Sequence, residues 1–401
     1  MSSQADRTER LLAAVRRAVP AARRHRRALH EVPELAFEER ETAALVERVL
    51  VGLGLAPETG VAGTGLVVEL PGTGKGRTIL LRADMDGLPV EEPTDHQPRS
   101  RHPGRMHACG HDAHMAILLG IAEAVAGAAG EGAVFPGRLL LLFQPAEETG
   151  GGAARVIETG LLERRRVDAV LGLHAWSPLP AGTVVIPDGP VMASSDEFSA
   201  VFRGPGGHGA MPHAARDTVL ALAEGIVALQ GVVARDVDPV TPAVVSVGRV
   251  TAGTAPNVLP ARAELAGTAR AADPGTRALL RERIPRVLAA VAAARDVEVE
   301  VSFGHGNPPV VNDPRVAARM REAAGATPGI GRVATGPMTM AAEDFGLYLE
   351  RRPGAFCLLG MGDAGLGTDR PHHAPAFRVN DEVLGPAMEL LLRTALLLAG
   401  E

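Results

Sequence analysis

The segment MHACGHDAH, residues 106–114, places His107, Cys109, His111, Asp112 and His114 within nine positions. Thiolate, imidazole and carboxylate are the donors that borderline divalent metals prefer, so this density predicts a metal site. Cys109 and His111 stand two apart just before a predicted helix, and on a loop such a pair can direct both side chains into one cavity. The positive end of that helix is expected to favour the thiolate of Cys109, and Asp112 is a candidate N-cap. Taken alone, the segment also reads as a buried cysteine beside hydrogen-bonded histidines. Partners that complete a site must come from elsewhere. QPAEE supplies Glu147 and Glu148. At a strand end one of them can bind metal while the other serves as general base for a water, although a solvated acidic turn is the plainer reading. GLHAW supplies His174, otherwise a satisfied core histidine. LRADMDGLP supplies Asp84 and Asp86, carboxylates able to orient ligands from behind, and PHHAPAF supplies His372 and His373.

The elements that must position these groups read as α/β. Residues 7–19 and 35–53 carry apolar positions at helical spacing. GLVVEL and TILLRADMD, split by PGTGKG, predict a hairpin of strands. HDAHMAILLGIAEAVAGAAG predicts a helix. GRLLLLFQPAEE is a continuous apolar strand ending in acids, the habit of a strand buried on both faces of a parallel or mixed sheet. VDAVLGLHAWSP repeats that shape and ends at a histidine. Such strand ends are where open α/β sheets place their sites. From 196 to 304 the order changes to strand, helix, strand, strand, helix, strand, the ferredoxin-like βαββαβ pattern, with Pro285 expected to kink its second helix. The expected organisation is a discontinuous catalytic domain, 1–190 and 305–401, interrupted by an inserted domain, 191–304.

Composition narrows the function class. A chain of 401 residues exceeds what one core usually takes, and 46% hydrophobic residues with 3% aromatics predict an aliphatic core. Basic residues number 41 against 47 acidic, net −6, which argues against nucleic-acid binding. The arginine run ARRHRRALH reads as a solvated helix face. No window predicts a charge-free apolar span long enough to cross a membrane, and the N-terminus lacks a secretory pattern. Cys109 and Cys357 give no disulfide framework, and a reactive thiol suits the reducing cytoplasm. Lys75, the only lysine, lies in PGTGKGRT, where Glu69 and Gly76 break a phosphate-loop pattern.

The motifs together resemble the aminoacylase/carboxypeptidase family of dinuclear metal amidohydrolases. They are most similar to its branch of hippurate hydrolases, N-acyl-amino-acid amidohydrolases and auxin-conjugate hydrolases. RRALHEVPEL, LRADMDGLP, MHACGHDAH, FQPAEE, GLHAW, GPGGHGAMPH, APNVLPARAELAGTAR, AEDF and HAPAF carry the resemblance, in order, across nearly the whole chain. It implies a zinc-exopeptidase-like catalytic domain with a mixed central sheet, plus a ferredoxin-like lid and dimerisation domain. It implies two divalent ions per subunit, zinc, manganese, cobalt or nickel, held by Cys109 as a bridging thiolate with His111, Glu148, His174 and His373. Glu147 takes the place of the general base and Asp86 that of the carboxylate steadying the site. His208 matches the histidine that stabilises the oxyanion, often from a partner subunit, while Asn257 and Arg270 match substrate-gripping groups. The expected substrate is a small N-acyl amino acid, and the expected assembly a homodimer or higher homo-oligomer. Ala342 stands where the family more often has glycine or serine before E-D-F.

Three rivals stay open: a dipeptidase or carboxypeptidase using the same metals, a non-catalytic metal- or ligand-binding module, and a cysteine hydrolase built on Cys109. Chelation separates the last. Incubation with a strong chelator is expected to abolish hydrolysis, with recovery on adding back divalent metal. Full activity after verified metal removal would favour the cysteine hydrolase.

Overall fold

A computed structural model describes residues 4–336 and 338–400. The chain groups into two compact units: Met1–Val191, Val311–Pro337 and Asp344–Glu401 form one, and Met192–Val310 with Met338–Glu343 form the other. The first unit opens with helices α1 (Gln4–His30) and α2 (Arg40–Gly52). Strands β1 (Glu58–Val61), β2 (Gly65–Leu70) and β3 (Thr78–Asp84) follow, then helix α3 (His111–Gly130) and strands β4 (Arg138–Gln144), β5 (Ala169–Pro180) and β6 (Thr183–Val185). The second unit contains β7 (Ser195–Arg203), α4 (Thr218–Gly231), β8 (Ala243–Ala252), β9 (Arg262–Ala271), α5 (Pro274–Ala294) and β10 (Glu298–Asn307). The chain returns to the first unit with α6 (Pro314–Gly325), β11 (Arg332–Ala334), β12 (Gly354–Gly362) and α7 (Leu384–Ala399).

In the first unit the strand order is β1-β2-β4-β3-β5-β12-β6-β11. The centre, β4-β3-β5-β12, is parallel, while β2 and β6 join it antiparallel, so the sheet is mixed. The leucine run of β4 is buried throughout, as a central strand covered on both faces requires. The chain passes from β3 to β4 on one side of β3 and then to β5 on the other. That reversal opens a crevice at the carboxyl ends of these strands, the place such sheets use for binding.

Several expectations change. β2 and β3 are not a hairpin, because β4 lies between them and pairs with both. The 71–77 turn is a crossover rather than a hairpin loop. Strand β5 does not end at His174 but continues to Pro180. Helix α1 runs past position 19 and through Pro20 to His30, since Leu11, Leu12, Val15, Ala22 and Leu29 keep one face in the core. α2 starts at Arg40 rather than 35. Two helices, His111–Gly130 and Thr218–Asp236, are long and apolar enough to cross a membrane by length and composition, where none was expected. α3 is apolar around its circumference because it is a core helix, buried on nearly every side.

The second unit's sheet has the order β8-β9-β7-β10, antiparallel throughout, which is the ferredoxin-like arrangement. Phe198, Ala200 and Phe202 of β7 pack with Leu222 and Leu229 of α4 and Ile284 and Leu288 of α5. α5 continues through Pro285 as one helix.

The arginine run is only partly a solvated face. Arg26 is buried and pairs with Asp112 and Asp381. His30, also buried, donates through Nδ1 to Asp112 and through Nε2 to Glu92, each at 2.7 Å. This joins the end of α1 to the first turn of α3. Burial alone would lower the His30 pKa, but the two carboxylates raise it to about 9 from an ordinary 6.5. A folded-state value raised in this way gives stability that is full below about pH 6.5 and lost as pH rises through 9. The melting temperature is therefore expected to fall across that window. His30→Gln should lower it at pH 6 and flatten the decline, whereas an unchanged slope would contradict the ion-paired histidine.

Candidate active site

The sheet crevice in the first unit gathers Asp84, Asp86, Cys109, His111, Glu147, Glu148, His174 and His373. Cys109 sits on the loop before α3, and Gly110 at the helix start has φ 90°, a left-handed conformation that glycine adopts without steric cost. Asp112 does not cap this helix. The N-cap residue is Gly110; Asp112, two residues further in, gives Oδ2 to His30 while its Oδ1 accepts the Ala113 N–H at 3.0 Å. His111 Nδ1 donates to the Asp86 carbonyl at 2.8 Å, which makes Nε2 the nitrogen that would bind a cation after giving up its proton. His174 Nδ1 donates to the Ala175 carbonyl at 2.8 Å, and its Nε2 lies 3.4 Å from Cys109 Sγ. In both rings Nδ1 is committed to a backbone carbonyl, so Nε2 is the nitrogen oriented for a metal.

Glu147 and Glu148 follow the end of β4 through Ala146, a non-glycine residue at φ 56°. The left-handed turn throws the two glutamates out of the strand's alternation. Asp86 accepts the backbone N–H of Glu147 on one oxygen and that of Glu148 on the other, both at 3.0 Å. One carboxylate therefore fixes the orientation of both residues. Glu148 Oε1 lies 3.8 Å from His111 Nε2 and 3.5 Å from His373 Nε2. His373 N–H donates to the Ala108 carbonyl at 2.8 Å, which brings the distant histidine loop onto the cysteine segment. His372 is placed differently. Its Nε2 accepts from Ser177 N–H at 3.1 Å, its Nδ1 is 3.9 Å from Cys109 Sγ, and its ring stacks on Trp176.

Two donor triads emerge, each with ligand atoms within 4.8 Å of one another: Cys109, His111 and His174, and Cys109, Glu148 and His373. They share one sulfur. His111, Glu147 and Glu148 form a further group within the same separation. His111 Nε2 and Glu148 Oε1 are buried without a hydrogen-bond partner. Buried polar atoms rarely stay unsatisfied, so orphaned donor atoms beside a thiol and two more imidazoles fit a divalent-cation site.

The electrostatics agree, and they overturn the expected effect of the helix end on Cys109. Burial, then the nearby Glu148, Glu147 and Asp84 carboxylates, push its thiol well above the ordinary range. Close anionic neighbours outweigh a helix terminus, so a thiolate here needs a cation beside it. The carboxylate field acts oppositely on His111. Burial lowers its pKa, but Asp84, Asp86 and Glu148 raise it to about 10. His174 is driven well below the usual range by burial and by neighbouring His114 and His372, which keeps it neutral. Burial opposes ionisation of Glu148, yet His373 and His111 hold its pKa below the ordinary value.

Several supporting residues had no assigned part in the sequence reading. Arg82 of β3 is buried, with Nη1 2.6 Å from Asp84, Nη2 2.8 Å from Asp344 and Nε 2.8 Å from Gln144 Oε1. Asp344 also accepts from Gln144 Nε2 at 2.8 Å and from Ala153 N–H at 2.9 Å, which makes it a buried strut. Asp84 in turn accepts from His114 Nδ1 at 2.6 Å, and His114 Nε2 accepts from Ala175 N–H. The signal for Arg82 was a positive charge breaking the apolar run TILLRA, residues 78–83.

His208, Asn257 and Arg270 belong to the second unit. His208 pairs with Val258 in a two-residue ribbon, Gly209 N–H bonds to the Asn257 carbonyl at 2.9 Å, and both side chains are exposed. Arg270 lies on β9, and its Nη1 is buried without a partner.

The model of peptidase family M20/M25/M40 matches residues 80–397. The chain is 38% identical over 372 residues to an N-acetyl-L-cysteine deacetylase from Bacillus subtilis, covering 92% of this chain and 86% of the relative. It is 37% identical over 363 residues to thermostable carboxypeptidase 1 from Saccharolobus solfataricus, covering 90% of each. Among solved structures it resembles a dinuclear metal-binding peptidase of the M20 family from B. subtilis. That match has TM-score 0.83 and 33% identity over 96% of this chain and 99% of the other.

Removing one partner of a buried ion pair leaves a charge with no compensation. Arg82→Met should therefore cost about 3–5 kcal/mol in urea unfolding. A loss below about 1 kcal/mol, the size of an exposed pair, would contradict the strut.

Proposed function

Because the chain belongs to peptidase family M20/M25/M40, we propose that its crevice is a two-metal amidohydrolase centre cleaving N-acyl amino acids to a carboxylate and a free amino acid. The observation that carries this reading is the pair of donor triads meeting at Cys109 Sγ, with Glu147 beside them. Cys109, His111, Glu148, His174 and His373 would hold two divalent ions, with Cys109 common to both triads. His372 is left out because its Nε2 is taken by Ser177 N–H. Zinc, manganese, cobalt and nickel all suit this donor set. Bound ions supply Lewis acidity to the amide carbonyl and make water acidic enough to ionise near neutral pH.

Glu147 takes the proton of the attacking water and later delivers it to the leaving amine nitrogen. Asp86 holds Glu147 and Glu148 in register through their N–H groups and fixes the His111 ring through its own carbonyl. His208 donates to the developing oxyanion. Asn257 grips substrate polar atoms, and the unpartnered Arg270 Nη1 receives the substrate carboxylate. Residues 191–304 act as lid and dimerisation domain, with His208 working across a homodimer or higher homo-oligomer. A metal-holding thiolate of this kind suits the reducing cytoplasm.

The second reading, a peptidase, is favoured by the relative named as a carboxypeptidase. A metal-reconstituted panel separates them. N-acetyl and N-benzoyl amino acids should show higher kcat/KM than dipeptides of the same C-terminal residue, and the reverse order would favour the peptidase. Glu147→Ala should keep two metal ions per chain while kcat falls by about 10²–10⁴-fold, the usual share of a general base. Near-normal turnover in that variant would sink the assigned mechanism.

A further inference from the structure

Glu39 occupies the N-cap position of α2, yet its side chain makes no capping hydrogen bond. It turns inward instead and is 0% exposed. One carboxylate oxygen accepts the Thr64 hydroxyl at 2.5 Å, and the other accepts the backbone N–H of Ala146 at 2.8 Å. No arginine or lysine pairs with it among the described residues. A carboxylate buried with only neutral partners is costly, and burial, with Asp86 adding to it, raises the Glu39 pKa. A placement that gives up a local cap and takes on that cost calls for a return at the other end of the contact.

The far end is Ala146, the left-handed residue that aims Glu147 and Glu148. An alanine is strained in this conformation and needs outside restraint. The turn after β4 has that restraint from three separate carboxylates: Glu39 on Ala146, Asp86 on Glu147 and Glu148, and Asp344 on Ala153. The loop also closes on itself, with Gly152 N–H bonded to the Ala146 carbonyl at 3.0 Å. Gly152 cannot be replaced, because a Cβ there would lie 1.7 Å from the Pro145 carbonyl oxygen. Asp86 also meets His111 and Asp344 also pairs with Arg82, whereas the Glu39 carboxylate bonds only the turn and the Thr64 hydroxyl among the other described residues.

We propose that Glu39 is a positioning residue for the general base: by anchoring the Ala146 N–H it holds the left-handed turn that points Glu147 at the substrate. The inference rests on the role assigned to Glu147 above. What matters is the acceptor at Ala146, not the negative charge. Glutamine keeps an oxygen for Ala146 and lets the Thr64 hydroxyl reverse to accept from the amide, whereas methionine fills the volume and accepts nothing.

The test compares Glu39→Gln, Glu39→Met and wild type on an N-acetyl amino acid with metal content measured. Glu39→Gln should keep kcat within about threefold. Glu39→Met should lose about 30–100-fold in kcat, the scale expected of a misplaced catalytic group, with KM within threefold and two metals retained. Hydrogen exchange gives a readout independent of turnover: amides of 145–153 should exchange faster in Glu39→Met and at the wild-type rate in Glu39→Gln. If Glu39→Met does not fold, Thr64→Val takes its place, with a smaller kcat loss at unchanged KM and faster exchange in the same segment. Equal losses in the glutamine and methionine variants would overturn the proposal, as would unchanged kcat and exchange in Glu39→Met, or in Thr64→Val where it stands in. Wild type lacking turnover on every N-acyl amino acid, with the exchange differences intact, would instead remove the functional reading and leave the anchoring in place.

Discussion

Negative charge is concentrated at one end of a buried sheet: Asp84, Asp86, Glu147 and Glu148 surround a cysteine, and Asp84 and Asp86 are almost wholly inaccessible to water. Carboxylates in such a place must be paired, bonded to N–H groups, or protonated. The fold answers in layers. Behind the site, Arg82 neutralises Asp84 and Asp344 together. At mid-depth, Asp86 is absorbed by two backbone N–H groups and Asp84 by His114. In the crevice itself His111 Nε2 and Glu148 Oε1 stay unsatisfied, and the Cys109 thiol is pushed away from ionisation. The charges behind the site are paired, and the unsatisfied donor atoms at its mouth are where a cation would complete the balance.

This gradation explains the architecture around it. A parallel centre lets β3, β4 and β5 deliver their carboxyl ends side by side, and the reversal of strand order at β3 leaves the gap between them. α3 can start inside the core because its first residues, His111 and Asp112, have their polar groups met by Asp86 and His30. The strained turn at Ala146 persists because carboxylates from three remote segments hold its N–H groups. Stability and chemistry use the same side chains, so substitutions behind the site bear on both.

What could be read in the sequence follows from locality. The cysteine–histidine segment, the paired glutamates and the βαββαβ order are each written in short windows, where residue type and period suffice. Glu39 and Asp344 reach their partners across 107 and 191 residues, and no local pattern records an acceptor that far from its N–H group. The β2–β3 pair looked like a hairpin because two apolar runs flank a glycine turn, but β4 lies between them and pairs with both. The ionisation of Cys109 was misjudged for a related reason. The helix end was visible in the sequence, while the carboxylates packed against the sulfur come from β3 and β4 and appear only on folding.

The central claim is that Cys109 is a thiolate only by virtue of cations it bridges. Cobalt substitution tests this most directly. Metal-free protein titrated with Co²⁺ should take up two equivalents and develop a thiolate-to-cobalt charge-transfer band. That band should be absent in Cys109→Ser, while the weaker bands of histidine and carboxylate coordination remain in the variant. Two equivalents bound by wild type with no thiolate band would contradict the account.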